Sequence, residues 1–172
     1  MRPSRLLSID PGATHVGVAL FRSGIGEGGG ATPFAAHCVW ARETQPAMLD
    51  LMVLELLEER LLWRVVIEDF VLTRTMADAS RKGGKPHGVG NYSKDANLTI
   101  ECIGGIRTLA RLAQVQVIMN RPGDHGRAKE RYGDLLGKLK SWGHGGHAQS
   151  AELHGWWAIL EKAALTEQAQ LF

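Results

Sequence analysis

Residues 6–21 read Leu6-Leu7-Ser8-Ile9-Asp10-Pro11-Gly12-Ala13-Thr14-His15-Val16-Gly17-Val18-Ala19-Leu20-Phe21. Leu6 to Asp10 is an apolar run too short for a helix and bounded by Pro11-Gly12, so it reads as a strand that ends on a carboxylate. Val16 to Phe21 alternates after the tight turn and reads as a second strand, antiparallel to the first. The chain therefore opens with a hairpin that carries an acid at the end of its first strand.

Working outward, glycines 24, 26, 28, 29 and 30 form a flexible connection, and Phe34 to Trp40 is expected to be a third strand. The period then changes. Met48, Leu51, Met52, Leu54, Leu56, Leu57 and Leu61 form an apolar stripe within 43–62, with Glu55, Glu58 and Glu59 outward, and Pro46 suits a helix start. Trp63 to Ile67 reads as a buried strand with Glu68-Asp69 at its end. Residues 71–95 hold few apolar side chains and several glycines and lysines, the pattern of a long loop, and such loops are usually functional. A helix is expected over 97–113, with Gly104-Gly105 in its middle as a packing or dimer surface. A strand follows over 115–119, then a basic helix over 127–139 and a last helix over 147–164. The order is three meandering strands, helix, strand, helix, strand, helices. It predicts an α/β fold, a five-stranded mixed sheet with an antiparallel hairpin edge and flanking helices, in one domain over 1–172.

The chain has 172 residues, enough to bury a sizeable core, and its 22% of charged residues is ordinary for a globular domain. No apolar run approaches the roughly 20 residues of a membrane span, and Asp10 interrupts the first apolar stretch too early for a secretory leader. Only Cys38 and Cys102 are present, far apart, which fits a reduced, cytoplasmic protein. The net charge of +2 says little, but its distribution says more. Residues 41–70 hold three basic and seven acidic side chains; 71–95 hold five basic and two acidic; 121–147 hold six basic and three acidic. Two basic segments beside an acidic one suggest a polyanion near a carboxylate cluster.

Asp10 and Glu68 both close strands, and neighbouring strands of an α/β sheet present their ends side by side, where ligands usually bind. Carboxylates brought together repel unless a cation joins them, and oxygen ligands suit Mg²⁺ or Mn²⁺. On the last helix, His147 and Ser150 are three residues apart and share a face, with His154 near it. A helix presenting His147 to Asp10 and Glu68 would complete a three-residue site.

The segment Leu7-Ser8-Ile9-Asp10-Pro11-Gly12, followed by Gly17, resembles the first motif of RuvC-type Holliday-junction resolvases. Val65-Val66-Ile67-Glu68-Asp69-Phe70 resembles their second. Gly104-Gly105-Ile106-Arg107, then residues 115–119 and Arg121-Pro122, resembles the helix and strand that follow, and His147-Ala148-Gln149-Ser150-Ala151 stands where the family has its last acidic motif. The likeness spans about residues 5–160 and is closest to phage-type members. It implies an RNase H-like fold, a homodimer in a bacterial or phage-infected cell, and cleavage of four-way DNA junctions with two Mg²⁺ or Mn²⁺ ions. Asp10 and Glu68 would bind metal, and His147 would bind metal or help activate water. Where the family places an aspartate, Ser150 stands here, and a neutral hydroxyl is a weak ligand. Glu152 points away from Ser150 on a regular helix and is no substitute. Ser150 is either natural, with a weakened second metal site, or an inactivating substitution. Phe70 and Tyr92 flank the basic loop as stacking groups, and Arg74, Arg81, Lys82 and Lys85 would hold phosphates.

Other classes compete with this one. A junction-binding dimer disabled by Ser150 would retain DNA without nicking it. An RNA-processing nuclease of the same fold shares the Asp-Pro-Gly motif. A phosphotransferase of the actin and sugar-kinase type needs two such domains, more than 172 residues supply. Gly24, Gly26 and Gly29 have dinucleotide-loop spacing, but no helix follows them. His144, His147 and His154 lack nearby cysteines for a structural zinc site.

Overall fold

The computed structural model describes residues 5–25, 31–60, 62–69 and 89–162. Strand β1 (Arg5–Asp10) pairs antiparallel with β2 (Val16–Ile25), which pairs antiparallel with β3 (Ala31–Thr44). Helix α1 (Pro46–Glu58) crosses over to β4 (Leu62–Glu68), which lies parallel to β1. Helix α2 (Val89–Leu112) leads to β5 (Gln116–Asn120), parallel to β4. Helices α3 (Asp124–Leu136) and α4 (Gly146–Trp157) follow, and α4 runs on into a short π-helical stretch, Ala158–Lys162. The sheet order is β3-β2-β1-β4-β5, the expected five-stranded mixed sheet.

Side chains alternate across a strand, and this period of two sorts the sheet into two faces. Leu7, Ile9, Val18, Leu20, Val65 and Ile67 face α1 and α2, where they bury Leu49, Val53, Ile103, Ile106 and Ala110. Leu6, Ala19, Phe21 and Val66 face the other way and pack on Ala151, Ala158 and Ile159. Each fully buried aliphatic side chain contributes about 1.5–3 kcal/mol, so both layers are firmly seated. The parity has a chemical consequence. Asp10 shares the face of Leu6, Glu68 that of Val66, and Asn120 that of Ile118, which packs on the same cluster. All three polar ends therefore emerge beneath α4.

The position of α4 is set by close backbone contact. A Cβ on Gly17 would overlap the main-chain carbonyl of His147, so a side chain at 17 would push the helix off β2. Gly145 precedes the helix at φ 98°, and a Cβ there would meet the Glu43 carboxylate. Glu43 accepts the His147 backbone N–H at 3.0 Å, a negative charge at a helix start. At the far end Phe21 meets Trp156 edge-to-face, with ring centroids 5.2 Å apart.

Several boundaries differ from the sequence reading. Strand β3 runs to Thr44 because it pairs with β2 along its length, so Glu43 belongs to a strand, while the following helix starts at Pro46 as that proline suggested. That helix ends at Glu58, before Arg60 at φ 52°. Helix α2 begins at Val89, so the last part of the expected 71–95 loop is helical and Tyr92 stands on a helix. Helix α3 starts at Asp124, whose carboxylate accepts the Arg121 backbone N–H at 2.9 Å, and it stops at Gly137 with φ 60°.

Substituting Gly17→Ala should cost about 3 kcal/mol, the upper range for overpacking, since the clash is with backbone. Chemical denaturation measures it; a loss below about 0.5 kcal/mol would show that α4 is not seated in this way.

Candidate active site

Three of the sequence-predicted residues meet at the ends of β1 and β4. Asp10 Oδ2 lies 2.9 Å from His147 Nδ1, and the Glu68 carboxylate is close enough to act on Asp10. The Asp10 side chain is 11% exposed and the Glu68 side chain 17%, whereas His147 is nearly half exposed at the rim. Two carboxylates in contact cannot both ionise cheaply. Burial first, then the hydrogen bond and charge of Glu68, push Asp10 up to about 7, against the opposing pull of His147. Burial also acts to raise Glu68, but hydrogen bonds from His154 and Asp10 outweigh it and hold Glu68 below the ordinary carboxylate range. Of the two, Asp10 is the carboxyl that resists ionisation.

Ser150 is half-buried on α4, one turn beyond His147 and one turn before His154. It sits on the face of the helix that carries both histidines, and its hydroxyl adds no charge. Glu152 is 1% exposed and committed elsewhere: its carboxylate accepts the backbone N–H groups of Lys140 at 3.1 Å and Ser141 at 2.7 Å. Phe70, Arg74, Arg81, Lys82 and Lys85 lie outside the described residues, as does the Tyr92 side chain.

Sequence reasoning missed the layer behind Glu68. His154 is fully buried, and its Nε2 lies 3.0 Å from Glu68 Oε2. Asn120, also fully buried, sits against His154, and the His125 ring meets the His154 ring at 67° with centroids 5.3 Å apart. Glu68, His125 and His154 offer ligand atoms within 4.8 Å of one another. His144 is not in this group. One signal was present, since His154 follows His147 by two helical turns; the place of Asn120 comes only from the register that sets it beside Glu68.

The donor set of the front layer is two carboxylates and one imidazole nitrogen. Oxygen with one nitrogen suits Mg²⁺ and, better, Mn²⁺, and a carboxylate pair that must otherwise hold a proton has room for a cation when that proton leaves. Asp10, Glu68 and His147 are thus residues of a kind that suits a divalent ion, with Ser150 adding at most a neutral oxygen, whereas the group whose ligand atoms all lie within 4.8 Å of one another is Glu68, His125 and His154.

No protein-family model matches the chain, and no curated protein matches it in sequence. Solved structures do. The chain is similar to Thermus thermophilus RuvC, at 17% identity and a TM-score of 0.58 over 94% of this chain and 96% of that one. It is equally similar to T. thermophilus RuvC solved in complex with a Holliday junction substrate, at 17% identity and a TM-score of 0.57 over 92% and 96%. At these TM-scores the chain has the fold of RuvC.

Proposed function

We propose that this chain is a divalent-metal-dependent endonuclease that acts on four-way DNA junctions. The observation that carries the reading is the meeting of Asp10, Glu68 and His147 at the strand ends of a fold whose solved counterpart was captured with a Holliday junction substrate. Asp10 and Glu68 would hold the metal, Mn²⁺ or Mg²⁺, and the free Nε2 of His147 would either join them or act on water. Such ions, when bound in pairs, lower the pKa of attacking water and stabilise the leaving oxygen of a phosphodiester. The chain's own residues do the rest. Asp10 would have to be ionised to serve as a ligand. His147, hydrogen-bonded to Asp10 and open to solvent, stands where it can take a proton from a nearby water. Glu68 stays ionised.

Phe70, Tyr92 and the cations Arg74, Arg81, Lys82 and Lys85 are our candidates for DNA contact, the cations neutralising phosphates and the aromatics stacking on unpaired bases. Homodimer formation fits the exposed Met48 and Leu51 of α1, Leu98 and Ile100 of α2, and the open space beside Gly104. A second reading follows from Ser150: without a third carboxylate, the protein holds junctions and does not cut them.

A labelled four-way junction with Mg²⁺ and then Mn²⁺, tested beside Ser150→Asp, separates the two. Symmetric nicks by the wild type are expected, faster by about tenfold or more in Ser150→Asp. Retention without nicks, with cutting restored by the aspartate, selects the binding role; no retention by either protein refutes the junction reading. Asp10→Asn and Glu68→Gln should abolish cutting while retention persists.

Replacing all four cations Arg74, Arg81, Lys82 and Lys85 should weaken junction binding and lower the slope of log affinity against log salt by about 0.9 for each phosphate that is no longer neutralised. An unchanged slope removes them from the interface.

The raised pKa of Asp10 also gives a pH signature. The folded state holds a proton between about pH 4 and 7 that the unfolded chain has released, so without metal this group makes stability fall as pH rises through that window. Above pH 7 Asp10 is ionised and would be open to a divalent cation. Thermal stabilisation by Mn²⁺ should therefore be larger at pH 8 than at pH 5.5, and Asp10→Asn should lose most of that difference. Equal stabilisation at both pH values would contradict the assignment.

A further inference from the structure

The layer behind Glu68 has a defined polarity. The side-chain amide of Asn120 lies 3.0 Å from the main-chain carbonyl oxygen of His154. A carbonyl only accepts, so the amide atom there is the nitrogen, Nδ2. The same nitrogen lies 3.4 Å from Nδ1 of the His154 ring. A donor facing Nδ1 requires a lone pair on Nδ1, which puts the ring proton on Nε2. Nε2 in turn lies 3.0 Å from Glu68 Oε2 and donates to it. Both ring nitrogens of a fully buried imidazole are thus used in its neutral form, and the edge of His125 closes one side of the ring.

We propose that His154, with its tautomer set by Asn120, is a positioning residue that fixes the Glu68 carboxylate beside Asp10. The role rests on the reading of Glu68 as a metal ligand. A carboxylate that must accept an ion alongside Asp10 has several rotamers to choose from; the Nε2–H bond engages Oε2 and leaves the remaining lone pairs for Asp10 and the ion. Hydrogen bonds of this kind to ligating side chains are worth 10–100-fold in metal affinity or activity.

The rival use of the same atoms is a metal site made of Glu68, His125 and His154 themselves. That site needs a bare Nε2 and a proton on Nδ1. The proton would then point at the Asn120 amide nitrogen, donor against donor. Turning the amide round would set its oxygen against the His154 carbonyl. Asn120 therefore selects the orienting role over the ligating one.

Two measurements test this. Long-range ¹H–¹⁵N spectra of the metal-free wild type at pH 8, with His154 identified by its loss in His154→Phe, read the tautomer directly. The Nε2–H form is expected. The Nδ1–H form, or displacement of the Nε2 signal by Zn²⁺, would overturn the proposal in favour of the rival site, whatever any variant does. Mn²⁺ affinity, read by electron paramagnetic resonance, should fall 10–100-fold in His154→Phe, and His154→Gln, which keeps an N–H donor near Glu68, should recover most of it. Unchanged affinity in a folded His154→Phe would also overturn the proposal. A wild type that shows the Nε2–H form yet binds no Mn²⁺ would instead refute the metal reading of Asp10 and Glu68, and the role of His154 with it.

Discussion

Two carboxylates pressed together at the ends of neighbouring parallel strands are a repulsion that the fold must answer. Asp10 and Glu68 are both largely buried, so water cannot screen them. The answer comes from three directions: an Asp10 carboxyl that resists ionisation, a histidine at the rim on Asp10, and a buried histidine on Glu68. Helix α4 supplies both histidines, and much of the architecture can be read as the means of keeping that helix in place. Its N-terminus rests on Gly17 and is tied to Glu43, and its far end is wedged by Trp156 on Phe21.

The sheet was legible because its signals are local. The hairpin announces itself in the run from Leu6 to Phe21, and β4 in Val65-Val66-Ile67. Period-two alternation then decides that Asp10 and Glu68 leave the sheet on the same side. His147 was legible from its spacing and from the resemblance. The same spacing puts His154 near that helix face, but its bond to Glu68 was not foreseen, and Asn120 was not legible. Nothing in a single sequence says that the asparagine ending β5 lies in register with Glu68, because that pairing joins residues 52 positions apart. Glu43 was missed for a related reason: an apolar stripe begins soon after it, and only pairing with β2 shows that the strand runs on to Thr44. The start of α2 was hidden because residues 89–95 carry the glycine and polar composition of a loop.

Ser150 and Glu152 show why a count of acids near a motif is a poor guide. Two residues apart on a helix point about 200° from each other. Glu152 is spent on the turn at Lys140 and Ser141, where its buried carboxylate satisfies two backbone N–H groups. Removing it would leave two donors without partners, at about 1–3 kcal/mol each. The face that looks at the strand ends keeps two histidines and a serine, a nitrogen-rich and charge-poor surface.

The interval from His147 to His154 is two turns of helix, and each imidazole meets its own carboxylate. One residue gained or lost between them would rotate one ring by about 100° relative to the other, and no side-chain rotamer spans that gap. Sequence change in this stretch is therefore constrained in kind: substitutions at Ala148, Gln149 or Ser150 leave the phase intact, whereas single-codon insertions and deletions break it. Among lineages of this protein, the reading frame of α4 should drift in composition while its length stays fixed.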